Sequence, residues 1–162
     1  MGILFSGKEL VNIGIGIEKN GAAFYDTLAD CAQQAAVKSL YRQLADKEKE
    51  HIQVFGKMLE SVGDYQPPET FTEEYEAYMK ALVDSLVFTN EKQACDVAKN
   101  MRGDAEAIQT ALIAEKDSIL FYLEMRDLVR ASERHVVDRL IAEERAHVRE
   151  LTQLEKSLGR GR

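Results

Sequence analysis

Two short stretches of the chain place a carboxylate and an imidazole one helical turn apart: Glu48-Lys49-Glu50-His51 and Glu144-Arg145-Ala146-His147. Leu140, Glu144, His147 and Leu151 fall at i, i+4, i+7 and i+11, so on a helix all four point the same way. Glu48 and His51 interrupt the stripe Leu40, Leu44, Phe55, Leu59 and Val62 in the same manner. An acid buried there without a partner costs several kcal/mol or takes up a proton. A metal ion offsets that cost, and oxygen-plus-imidazole ligands suit iron or manganese, with zinc also accepted. The run Asp46 to Glu50 is charged enough to be a solvated face, so only alignment with Leu44 and Phe55 favours the interior for Glu48.

Two more glutamates belong to the same pattern. Glu18 lies beside the stripe Leu10, Ile13, Ile17, Phe24 and Leu28, and Glu115 sits among Ile108, Leu112, Ile119 and Leu123. Glu18-Lys19-Asn20-Gly21-Ala22-Ala23-Phe24-Tyr25 aligns without a gap with Glu115-Lys116-Asp117-Ser118-Ile119-Leu120-Phe121-Tyr122, sharing Glu, Lys, Phe and Tyr. Leu44 to His51 aligns likewise with Leu140 to His147, in register within one residue. The chain is therefore an internal repeat of one hairpin. Gly14 and Gly21 flank Glu18 on its own face, where each costs about 1 kcal/mol relative to alanine. They either make room around the glutamate or permit close helix packing.

Helices must carry these residues. Ser6-Gly7-Lys8-Glu9 reads as a capping box that starts a helix running to about Asp30. After a break at Cys31 to Ala35, a second helix spans about Ala36 to Val62 and closes at Gly63. Asp64 to Thr72, with Pro67 and Pro68, is a linker. Helices are expected over Glu73 to Phe88 and Glu91 to Met101, with Tyr75, Tyr78, Met79, Leu82, Leu86 and Val87 read as packing. Gly103-Asp104 reads as a break and cap before a helix from Ala105 to Val129. Ser132 then caps a helix from Glu133 to Leu158, and Gly159 to Arg162 is a tail. Register tests the hairpins: the midpoint of Glu18 and Glu48 is Gln33, and that of Glu115 and Glu144 lies between Val129 and Arg130, each within a break. At about 1.5 Å rise per residue, each glutamate pair sits at one level, roughly 20 Å from its turn. Four glutamates and two histidines thus converge in a bundle core, where two divalent ions balance the four carboxylates.

Bulk properties narrow the function. At 162 residues the chain is one domain, all-α by composition, with a net charge of −7 that argues against nucleic-acid binding. No apolar run approaches the roughly 20 residues of a membrane span, and Met1 to Leu10 lacks the build of a secretory signal, so a cytoplasmic location is expected. Cys31 and Cys95 lack the paired spacing of a thiolate metal site, and His135 stands alone in a first turn as a surface histidine.

On these residues the chain resembles the ferritin-like superfamily and, within it, rubrerythrin-type diiron proteins. The likeness covers nearly the whole chain. It implies a four-helix bundle of two antiparallel hairpins, residues 1–63 and 104–158, joined by a helical crossover, 64–103, in one domain of 1–162. Carried over by position, Glu18, His51, Glu115 and His147 are terminal ligands and Glu48 and Glu144 bridging ligands of two iron ions. Tyr25 and Tyr122, seven residues beyond Glu18 and Glu115, return to the same face; they are either partners of the ligating carboxylates or ordinary core tyrosines. The implied activity is reduction of hydrogen peroxide in oxidative-stress defence, with Glu48 and Glu144 holding the metals at the catalytic centre; ferroxidation of iron by dioxygen is the neighbouring reading. Two departures stand out. Rubrerythrins append a rubredoxin domain with paired Cys-x-x-Cys motifs, which is missing here, so electrons come from an external donor such as a rubredoxin-like protein. They also carry a glutamate three residues after the third-helix ligand, where this chain has Ser118. A homodimer is expected for such a fold. An oxygenase acting on an organic substrate would need an apolar pocket. A metal-stabilised interaction module, with a partner surface around Tyr75 and Tyr78, is the reading from a different class.

Overall fold

The computed structural model describes residues 5–68 and 72–159. Within them all regular structure is helical: α1 (Gly7–Cys31), α2 (Ala35–Val62), α3 (Glu73–Asp84), α4 (Glu91–Lys99), α5 (Asp104–Leu128) and α6 (Arg134–Gly159). α1 pairs with α2 and α5 with α6, the two hairpins meet through α1 with α5 and α2 with α6, and α4 lies along α1. No helix among the described residues is long and apolar enough to cross a membrane.

Local chemistry explains the boundaries. Ser6 Oγ accepts from the Glu9 amide at 3.2 Å while the Ser6 amide donates to Glu9 Oε2 at 2.7 Å, the reciprocal pair of a capping box. Gly63 closes α2 at φ 55°, a left-handed conformation that favours glycine. The linker predicted at Asp64 to Thr72 follows, and its residues 69–71 lie outside the described residues.

Several boundaries differ from the sequence expectation. α3 stops at Asp84 instead of reaching Phe88. The next residues leave the helix because better partners lie on neighbouring elements: the Val87 amide donates to Asp117 Oδ2 at 3.2 Å, Phe88 O accepts from Asn20 Nδ2 at 3.3 Å, and the Phe88 ring packs on Phe24 with centroids 4.7 Å apart. α4 ends at Lys99, before Met101. Asp104 is the first residue of α5 rather than its cap, where its charge faces the positive end of the helix dipole; Gly103, at φ 153°, takes the cap position. Ser132 lies inside a 3-10 turn, Ala131–Glu133, that feeds straight into α6, and Gly159 continues that helix. Leu123, expected inward, is 39% exposed, because Tyr122 beside it occupies the inner face seven residues after Glu115. Tyr78 is 40% exposed; it and Tyr75 both donate to Glu124.

The apolar core divides in two. One half gathers Phe24, Tyr25, Tyr41, Leu44, Ile108, Leu112 and Leu151. The other gathers Leu10, Phe55, Met58, Phe121, Met125 and Leu140. On every long helix the glutamates and histidines named above fall between residues of the two halves, so the bundle carries one polar layer at mid-height.

The two glycines beside Glu18 resolve differently. A Cβ on Gly14 would meet the Phe55 ring at 2.9 Å, which is close helix packing; a Cβ on Gly21 would sit 3.2 Å from Glu48 Oε2, which is room for a glutamate, though Glu48 rather than Glu18. Gly14→Ala is therefore expected to destabilise the protein by about 1–3 kcal/mol through overpacking, despite the better helix propensity of alanine. Gly16, with nothing within 4 Å of a Cβ, should instead gain up to about 1 kcal/mol as alanine. Thermal melts of the two variants beside the parent check both signs.

Candidate metal centre

Four helices deliver the six side chains of the polar layer. Glu18 comes from α1, Glu48 and His51 from α2, Glu115 from α5, and Glu144 and His147 from α6, all between 0% and 4% exposed. His51 Nδ1 lies 3.2 Å from Glu18 Oε2 and 2.8 Å from Glu144 Oε1. His147 Nδ1 lies 3.2 Å from both Glu48 Oε1 and Glu144 Oε2, and 3.5 Å from Glu115 Oε2. The two rings are nearly parallel, 5.7 Å apart and 20° inclined. Glu144 thus turns one oxygen to each histidine.

Ligand-type atoms form two groups, each with all its members within 4.8 Å: Glu18, Glu48, His51, Glu144, and Glu48, Glu115, Glu144, His147. The groups share Glu48 and Glu144. Two donor sets joined by two common carboxylates are what a two-metal site requires.

Electrostatics show how poorly the layer is balanced by protein alone. Burial and the neighbouring carboxylates of Glu18 and Glu144 push Glu48 far above the usual carboxylate range. Burial and Glu144 raise Glu115 to about 8. Burial opposes charge on the histidines, yet the adjacent carboxylates of Glu144 and Glu18 raise His51, and those of Glu115 and Glu144 raise His147, each to about 11. Burial and the charge of Glu18 push Glu144 up, but His147, His51 and Glu115 around it outweigh them and hold that carboxyl low. From within the protein, only protons on these groups can offset the crowded carboxylates. Even so, Glu48 Oε1 and Glu144 Oε1 are buried without an aligned hydrogen bond, although a histidine nitrogen approaches each. An unsatisfied buried oxygen costs about 1–3 kcal/mol. Divalent cations would supply the missing partners of both, so the residues present fit a pair of metal ions.

Both tyrosines reach carboxylates of the cluster. Tyr25 on α1 donates to Glu115 Oε1, and Tyr122 on α5 donates to Glu18 Oε1, so each crosses to the other hairpin. Both are at most 2% exposed. Each bond occupies the outer oxygen of its carboxylate and leaves Oε2 facing a histidine.

The sequence reading missed Glu143. Its Oε2 lies 2.8 Å from His51 Nε2, across 92 residues, and its Oε1 lies 3.7 Å from Arg139 Nε. A carboxylate on the far nitrogen fixes the ring orientation and leaves Nδ1 for a ligand role. The Glu143-Glu144 doublet was the available signal, but the partner sits on another helix and no spacing rule connects them. The repeat places Lys47 at the equivalent point of the first hairpin, and Lys47 pairs with Glu50 instead. Glu143→Ala is expected to weaken metal binding about 10–100-fold, measured by competition with a chelator, whereas Arg139→Ala should have much less effect.

With this geometry in view, comparisons with known proteins become specific. The rubrerythrin family model matches residues 9–155. The chain belongs to the rubrerythrin family. Among solved structures, this rubrerythrin-family chain is similar to a protein of Thermotoga maritima described as a ferritin-like diiron-carboxylate protein. The two share 24% identity and a TM-score of 0.70, over 94% of this chain and 95% of the other. A search of curated proteins found no match. The fold is thus ferritin-like, and the family and the buried cluster together point to a two-metal centre.

Proposed function

We propose that the protein is a two-iron oxidoreductase that reduces hydrogen peroxide to water, taking its electrons from an external protein donor. The observation that carries this reading is the pair of four-ligand groups sharing Glu48 and Glu144. Glu48 and Glu144 would hold both ions, with Glu18 and His51 as the further ligands of one and Glu115 and His147 of the other. Oxygen-rich sites with one imidazole per metal favour iron or manganese over structural zinc. When bound, two ferrous ions supply the two electrons that convert one hydrogen peroxide and two protons into two waters, becoming ferric.

The chain's own residues hold the reacting geometry. Tyr25 and Tyr122 fix the torsion of Glu115 and Glu18, and Glu143 fixes the ring of His51. The two apolar halves of the core surround the layer and exclude bulk water, which strengthens every charge interaction inside it. The space beside the cluster also supports a small oxidant over an organic substrate: the cavity that reaches Glu48 and Glu115 has a volume of about 30 Å³. That is room for a small molecule and far too little for a bulky organic substrate.

The test is anaerobic loading with ferrous iron followed by rapid mixing with hydrogen peroxide or with dioxygen. Oxidation faster with peroxide than with dioxygen supports the proposal. Faster oxidation by dioxygen with retention of ferric product would favour ferroxidation, and oxidation no faster than that of free iron with either reagent would remove the redox reading.

A further inference from the structure

One cavity leads from the surface of the bundle to the polar layer. Its lining includes Ile17, Val87 and Ala114, which are partly exposed, and Glu48 and Glu115, which are 4% and 3% exposed. Neither histidine lines it, so it meets the cluster from the α1–α5 side, opposite Glu143.

Small residues keep this passage open. Gly21 borders it where a Cβ would come within 3.2 Å of Glu48 Oε2 and within 3.3 Å of the carboxyl carbon. Ala114 and Ser118 border it from α5, and the Ser118 hydroxyl is turned away to the Ala114 carbonyl at 3.0 Å. The roof is the segment 86–88, which left the helical path of α3. It is pinned on two sides, by Asn20 on the Phe88 carbonyl and by Asp117 on the Val87 amide, and the Phe88 ring is wedged against Phe24. A roof held by two hydrogen bonds and an aromatic contact resists widening, which keeps the cavity small, about 30 Å³.

We infer that this cavity is the access and binding pocket for the oxidant, and that it admits small uncharged molecules such as hydrogen peroxide while rejecting bulky alkyl or aryl hydroperoxides. The inference rests on the redox reading of the same site for its substrate. It does not rest on that reading for its geometry.

The experiment separates the two. The iron-loaded ferrous protein is mixed with hydrogen peroxide and with cumene hydroperoxide, and nitric oxide binding to the ferrous form is read by electron paramagnetic resonance. The same measurements are made on Ala114→Leu, which fills the passage from its wall. In the parent protein, hydrogen peroxide should react about 10–200-fold faster than cumene hydroperoxide, the scale on which misfit in a pocket discriminates. Ala114→Leu should keep its metal content but lose both rapid oxidation and nitric oxide binding. Asn20→Ala, which releases the roof, should raise the rate with cumene hydroperoxide. Equal rates for the two oxidants in the parent protein, a measurement that needs no variant to fold, would overturn the inference. So would unchanged nitric oxide binding in a metal-loaded Ala114→Leu. If peroxide fails to oxidise the parent while nitric oxide binds it and not Ala114→Leu, the pocket stands and the peroxide reading falls.

Discussion

Glu144→Ala is expected to leave a folded bundle that no longer holds two metal ions and no longer reacts rapidly with peroxide. Glu144 is fully buried, belongs to both ligand groups, and gives one oxygen to each histidine. Its loss removes a donor from both positions at once. The effect on turnover should therefore exceed the roughly 10–100-fold typical of losing an outer partner of a ligand. The bundle should survive, because the apolar halves on either side do not depend on this side chain. Metal content, helicity and oxidation rate measured on one preparation check the three parts. A variant that unfolds but, where folded, turns over normally would identify a structural metal site instead.

The second large effect is metal-linked stability. A ligand present at about 1,000 times its dissociation constant adds about 4 kcal/mol. For a chain of this size that corresponds to a rise in melting temperature of about 8–16 °C. The sign of its pH dependence follows from the cluster. His51 and His147 rise from 6.5 to about 11 on folding, and Glu115 rises from 4.5 to about 8. Groups whose folded pKa is raised contribute stability at low pH that is lost as the pH climbs through the folded value. Glu144, held low, is ionised in both the folded and unfolded states across this window and leaves the slope unchanged. Between pH 6.5 and 8 the metal-free protein should therefore become less stable. Metal must displace the same protons, so its added stability should shrink as the pH falls. Melts with and without a chelator across that range measure both slopes; a gap that widens toward acid would contradict the assignment of these residues as ligands.

Much of this architecture was legible in the sequence, for a physical reason. Acids and imidazoles at stripe positions are costly, so Glu48, His51, Glu144 and His147 stood out against the leucines around them. The repeat and the equal distances to the two turns placed Glu18 and Glu115 at the same height, and the structure brings all six side chains together. What stayed hidden depends on contacts across the fold. The end of α3 is decided by Asp117 and Asn20, residues on α5 and α1, and no local signal in Leu86 to Phe88 announces it. Glu143 looked like one more surface acid until α2 brought His51 beside it. The pocket needed the same information, since it is the space left where Gly21 and Ser118 face a roof set by those distant bonds.

The most direct test of the central claim is a crystal structure of the iron-loaded protein with anomalous scattering recorded at the iron edge. The account predicts two peaks within the polar layer, both in contact with Glu48 and Glu144, one also on Glu18 and His51 and the other also on Glu115 and His147. A single peak, or iron bound only to carboxylates at the surface, would contradict it.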